Sequence, residues 1–133
     1  MIKRGIGLMT DKISIRPVID GINRFENKSE QEQFQNDTLR PIIKLQHLLL
    51  VEYFKEYLLV KKCKFTELNE LKQLAFIKAA FLRDNSFKAE LKGLIIGQFT
   101  VEEFSLYSKY KSDFNKRILT MIEQRILSVI NLF

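Results

Sequence analysis

The chain has 133 residues, 46% hydrophobic and 29% charged, with two prolines and five glycines: the composition of one globular domain built largely from helices, and not of a disordered chain. A single cysteine excludes an internal disulfide, and a single histidine beside it excludes a zinc site of Cys and His ligands drawn from this chain alone. The net charge of +6 divides evenly, with a surplus of three basic side chains in residues 1–28 and of three in residues 29–133.

Residues 1–28 lack a sustained helical period, because Gly5, Gly7, Pro17 and Gly21 interrupt it, although Val18, Ile19, Ile22 and Phe25 have the spacing of one short turn. This segment reads as a basic N-terminal arm, partly ordered or extended, ahead of a helical domain over residues 29–133. MIKRGIGLMTDKIS has no apolar run of signal-peptide length, and no later window offers about 18 uncharged apolar residues. A soluble, cytoplasmic protein without a membrane segment is therefore the expectation.

Ser29 with Glu32 has the spacing of a capping box and predicts a helix start. Pro41 then forces a choice, since an interior proline removes a backbone hydrogen bond and clashes with the preceding turn. The alternatives are two helices, 29–37 and 39–62 with Thr38 as a fresh N-cap, and one long bent helix over 29–62; the bent helix is preferred.

Leu39 to Val60, LRPIIKLQHLLLVEYFKEYLLV, is too apolar for an ordinary surface helix and too charged to cross a membrane. At roughly 100° per residue, Ile42, Ile43, Leu49, Leu50, Tyr53, Phe54, Tyr57 and Val60 share one arc with Gln46, which predicts a core face. The opposite arc holds Arg40, Lys44, His47, Glu52 and Lys55, with Val51 and Leu58 among them and Leu45, Leu48 and Leu59 on its flank. That mixed face is covered either by other helices of the chain or by a partner.

Lys61, Lys62 and Lys64 close this helix at the negative end of its dipole. Thr66 then caps a helix TELNELKQLAFIKAAFLRD with Leu68, Leu71, Leu74, Ala75, Ile77, Phe81 and Leu82 at helical spacing, ended by Asp84 and Asn85. Phe87, Leu91, Leu94 and Ile95 continue the period from Ser86 to Ile96, where Gly97 is placed as a left-handed C-terminal cap. In GQFTVEEF, residues 97–104, Thr100 and Glu103 form a second capping box, and Phe99 and Phe104 stand at the hydrophobic-staple positions. The last helical stretch runs from Thr100 to about Asn131 with a break near Ser112, and Phe114, Ile118, Met121, Ile122, Ile126 and Val129 along one face. The predicted fold is all-α, a compact bundle of about five helices around a long, bent central helix.

No residue is assigned a catalytic role. His47 is the sole imidazole and lacks an orienting carboxylate at helical spacing. Cys63 lies between lysines that favour a thiolate, yet no base or oxyanion pocket accompanies it, so it reads as reactive and non-catalytic. Glu102 and Glu103 belong to the first turn of a helix, where negative charge complements the dipole. There is no phosphate-binding glycine loop, calcium-loop spacing or nucleophile elbow, so no cofactor or metal is predicted. The corner at Gly97 has the shape found in DNA readers, but the helix after it begins Val101, Glu102, Glu103, the wrong charge for a phosphate-lined groove.

The pieces TLRPIIKLQ (38–46), GLIIGQFTVEEF (93–104) and SDFNKRILTMIEQRI (112–126) resemble a family of small, uncharacterised bacterial proteins, over roughly residues 26–127. Members of that family sometimes carry a glyoxalase label. One histidine and no alternating strand pattern do not fit such an enzyme, so the resemblance implies a helical fold and carries over no catalytic residue.

The leading expectation is a non-enzymatic module that binds a protein partner, or a second copy of itself, through Arg40, Lys44, His47, Val51, Lys55 and Leu58. The alternative is an RNA-binding or ribosome-associated factor, using Lys3, Arg4, Lys12 and Arg16 of the arm with Lys61, Lys62 and Lys64. Lys109, Lys111, Lys116 and Arg117, interleaved with Tyr107 and Tyr110, form a further basic group with stacking surfaces.

Overall fold

The computed structural model describes residues 11–19 and 29–133. Among these, residues 11–14 form one helical turn and seven α-helices follow: α1 (Glu30–Phe34), α2 (Arg40–Leu45), α3 (His47–Val60), α4 (Glu70–Arg83), α5 (Asn85–Ile96), α6 (Val101–Lys109) and α7 (Lys111–Ser128). No described residue is in a β-strand, and the fold is all-α and compact. The rest of the expected N-terminal arm, including Lys3 and Arg4, lies outside the described residues.

The regular four-residue spacing of Phe114, Ile118, Ile122 and Ile126 makes α7 the helix around which the others assemble. All four are buried, and α7 packs against α3, α4, α5 and α6. Two aromatic clusters fill the ends of this core. Phe54 meets Phe133 at 4.7 Å between ring centroids, Phe65 at 6.2 Å and Phe87 at 6.3 Å. Phe34 meets Phe114 at 4.4 Å and Phe99 at 5.6 Å, and Tyr107 stacks beyond Phe99 at 5.5 Å.

Around Pro41 the chain stays helical and does not start afresh at Thr38. Ser29 caps α1 by accepting from the Glu32 amide at 3.2 Å, and a π-helical turn over Gln35–Leu39 joins α1 to α2, with the Arg40 amide reaching back to the Gln35 carbonyl. Widening the register by one residue just before Pro41 lets the proline stand at the start of α2, where its missing amide leaves no gap in the ladder. Thr38 is not an N-cap: it is buried, and its hydroxyl donates to Glu103 at 3.2 Å.

Gln46, with φ −87° and ψ 7°, separates α2 from α3. Its side-chain amide donates to the Leu94 carbonyl of α5 at 3.0 Å, a tertiary bond that holds the departure from helical dihedrals in place. Before Gln46 the inward residues are Leu39, Ile42 and Ile43; after it they are Leu50, Val51, Phe54 and Leu58. Relative to an unbroken helical wheel, the buried arc has advanced by roughly one residue step of 100°. Leu49 and Val60, predicted as core, are consequently exposed, and Tyr53 and Tyr57 are half-buried.

Other departures are local. Asn69 and not Thr66 caps α4, accepting from the Lys72 amide at 2.9 Å after a short 3-10 turn over Phe65–Glu67. The last stretch breaks at Tyr110, two residues before the expected Ser112, where φ −128° and ψ 38° leave the helical region. Gly97 remains right-handed with φ −61° and ψ −16°. Its glycine identity answers a spatial demand instead, since a Cβ there would meet the Gly93 carbonyl oxygen at 3.1 Å. Phe99 turns into the core while Phe104 stays largely exposed, both resting on Tyr107.

α3 ends in a Schellman motif, with Cys63 donating to Leu58 at 2.9 Å, Lys62 donating to Leu59 at 3.0 Å, and Lys62 in the left-handed region at φ 55°. A lysine has a Cβ that crowds its carbonyl in this conformation, and glycine does not. Lys62→Gly is expected to stabilise the fold by about 1 kcal/mol, a rise in melting temperature of about 4 °C by calorimetry. An unchanged or lower melting temperature would show that the motif carries no strain.

Candidate functional site

The break at Gln46 decides which side of α3 meets solvent. Val51 and Leu58, expected on the partner-binding face, are turned inward and buried. The outward side instead carries Leu48, 78% exposed, Leu59, 73%, Val60, 66%, and Leu49, 47%. Glu52, Lys55 and Glu56 lie between these aliphatics, with Lys55 and Glu52 3.5 Å apart on adjacent turns. Lys55 is the one member of the predicted face that stays with this exposed strip; Arg40, Lys44 and His47 make their contacts elsewhere, with Asn36, Val18 and Arg125.

Those contacts make up a basic corner. Arg40 donates through Nε to Asn36 Oδ1 at 3.0 Å, and Lys44 Nζ reaches the Val18 carbonyl at 3.4 Å. His47 Nδ1 lies 3.3 Å from Arg125 Nη1 of α7. A guanidinium has only donors, so Nδ1 accepts and the imidazole proton sits on Nε2. Burial and the neighbouring Arg125 charge push the His47 pKa down, leaving a neutral ring at pH 7. Arg125 contributes no signal on the α3 wheel, and its partnership with His47 spans 78 residues of chain.

Beside the aliphatic strip, Tyr53, Glu56, Tyr57 and Val60 of α3 and Asp84, Phe87 and Glu90 at the start of α5 line an open cleft of about 270 Å³. Asp84 organises it: one oxygen caps α5 by accepting from the Phe87 amide at 3.1 Å, and the other accepts from the Tyr57 hydroxyl at 2.7 Å and faces Lys61 at 3.4 Å. Tyr53 donates to Glu90 in the same way. Burial, followed by these carboxylate acceptors, pushes both phenols well above their ordinary range. The Tyr57 hydroxyl bond and the Phe87 amide lower Asp84. Tyrosines held protonated and an acid held ionised make a structural clasp, with no group among them poised to exchange a proton near neutrality.

The residues proposed for nucleic acid are spoken for in several places. Lys12 donates to the carbonyls of Gly97 at 3.4 Å and Phe99 at 3.1 Å, capping the end of α5. Arg16, whose side chain is 6% exposed, donates to the Gln98 carbonyl and forms a bidentate pair with Glu103 at 2.6 and 2.8 Å. Lys61 faces Asp84 and lies 5.7 Å from the Tyr57 ring centre. Lys62 and Lys64 are exposed. Tyr107 is buried and donates to Asn115, so it presents no free stacking face; Tyr110 is half-buried, donates to Glu30 at 2.8 Å and has Lys109 5.4 Å from its ring centre. Cys63 is half-buried, and burial pushes its thiol pKa up, against the thiolate expected from its lysine neighbours.

Among the described residues no three His, Cys, Asp or Glu side chains converge as a metal site, and no helix is long and apolar enough to cross a membrane. No protein family, curated protein or solved structure matches this chain.

Proposed function

We propose that this chain is a non-enzymatic, cytoplasmic interaction module that binds another protein, or a second copy of itself, through the outward face of α3. In this reading the helical segments from Glu30 to Val60 act as one bent strut. The observation that carries it is the strip of Leu48, Leu49, Leu59 and Val60, four aliphatic side chains left in solvent on a helix whose other face is fully used by the core. Isolated exposed leucines are ordinary, but here two adjacent pairs, Leu48 with Leu49 and Leu59 with Val60, stand in solvent along one helix with Glu52, Lys55 and Glu56 between them, more exposed aliphatic surface than one helix usually leaves free. The interspersed Glu52, Lys55 and Glu56 supply the polar rim that keeps such a surface from unspecific association.

Leu48→Ser with Leu59→Ser tests the face directly. Both side chains are outside the core, so stability is expected to change by less than about 0.5 kcal/mol. With the wild-type chain as bait in lysate of its own cell, a retained protein partner, or a concentration-dependent dimer by light scattering, is expected to disappear in the double variant. Undiminished association would remove this face from the proposal. An RNA-binding role is the alternative reading, and it is weakened by the internal commitments of Lys12, Arg16 and Lys61. Salt separates the two: RNA affinity falls steeply between low and moderate ionic strength, whereas an aliphatic interface changes little.

A further inference from the structure

We infer that Arg40, Arg125 and Gln124 form a binding site for a single phosphate group, free or carried on a phosphomonoester. They line a cleft of about 310 Å³ between α2 and the C-terminal half of α7, with Ile43 and Met121 as its apolar wall.

The first ground is a missing counter-charge. Arg16, Lys55, Lys61 and Lys109 each have a carboxylate within 4 Å. The other described cations have none among the described residues; of them, Arg40 holds an amide oxygen, Lys44 a backbone carbonyl and Arg125 a neutral imidazole. Arg125 is the pointed case, because it is half-buried and a cation removed from water ordinarily acquires an anion.

The second ground is the geometry of the unused donors. Arg40 spends Nε on Asn36, leaving both terminal nitrogens, and Arg125 spends Nη1 on His47, leaving Nη2 and Nε. Two guanidinium groups from different helices that line one cleft with Gln124 suit an anion whose several oxygens point in different directions. A planar carboxylate can satisfy one fork; a tetrahedral phosphate can take both. Lys44, one turn from Arg40, adds to the positive potential without touching the cleft.

The only histidine of the chain supplies the readout, since His47 touches Arg125 and gives a single imidazole signal in NMR. Orthophosphate and adenosine monophosphate are each expected to shift that signal saturably, with acetate about tenfold weaker or more. Equal affinities would identify the phosphate group alone as the ligand, and tighter monophosphate binding a phosphomonoester. Arg40→Gln, at an exposed position that leaves the fold intact by circular dichroism, is expected to weaken phosphate binding about tenfold, as is Arg125→Lys, which keeps charge but loses the fork. Lys116→Gln, outside the cleft, should bind as wild type. Absence of a saturable shift with either phosphate compound, wild-type affinity in Arg40→Gln, or a response to an RNA oligonucleotide only would each overturn the inference.

Discussion

Phe54→Ala is expected to destabilise the protein by about 3–5 kcal/mol, the largest effect of any single substitution on α3. The ring is buried where α3, Phe65, Phe87 and the C-terminal Phe133 converge, and it makes edge-to-face contacts with both Phe65 and Phe133. Removing it takes away apolar burial and leaves a hole lined by the rings of Tyr57, Phe65, Phe87 and Phe133, none of which can close it without abandoning its own neighbours. Leu49→Ala, five residues earlier on the same helix, is expected to change stability by less than about 0.5 kcal/mol, because that side chain is already half in solvent. Urea denaturation of the two variants measures the phase of α3. Similar losses at both positions would mean that the buried arc is not displaced at Gln46.

Periodicity reads well where the backbone obeys local rules. Phe114, Ile118, Ile122 and Ile126 identify the core face of α7, and Thr100 with Glu103 forms the capping box of α6 with both reciprocal bonds, at 3.1 and 2.8 Å. The strut was harder because its register is set by distant partners. Nothing near Gln46 announces that its amide will bond the Leu94 carbonyl, or that the helix will turn there. Once it does, a wheel drawn through residues 39–60 assigns Leu49 to the core and Val51 to the surface, the reverse of their places. The same displacement turns Val51 and Leu58 of the expected partner face inward, while Lys55 stays by the aliphatic strip and Arg40 and His47 lie near Arg125. Long-range ion pairs were equally invisible, and Arg16 read as a free cation for want of any local sign of Glu103.

Glu103→Ala is expected to cost about 3–4 kcal/mol, since it strands a cation that is almost fully enclosed. The Glu103 carboxylate accepts from both terminal nitrogens of Arg16, from the Thr100 amide at 2.8 Å and from the Thr38 hydroxyl at 3.2 Å, tying residues 11–19, the π-turn and the start of α6 to one point. Burial raises the carboxyl pKa, but the Arg16 hydrogen bonds, the Thr100 amide, the Arg16 charge and Thr38 outweigh it and hold the group below its ordinary value of 4.5. A folded-state pKa below the unfolded one means that the unfolded chain binds the proton more readily. The contribution is therefore complete above pH 4.5 and is lost as pH falls through the lowered value. Glu30 and Asp84 are lowered too and give the wild type further acid sensitivity, so the informative quantity is the difference between wild type and Glu103→Gln. That difference is expected to be constant near neutrality and to shrink on acidification below pH 4.5. A gap that stayed constant into strong acid would mean that the charge of Glu103, as distinct from its shape, does not hold the N-terminal segment to the bundle.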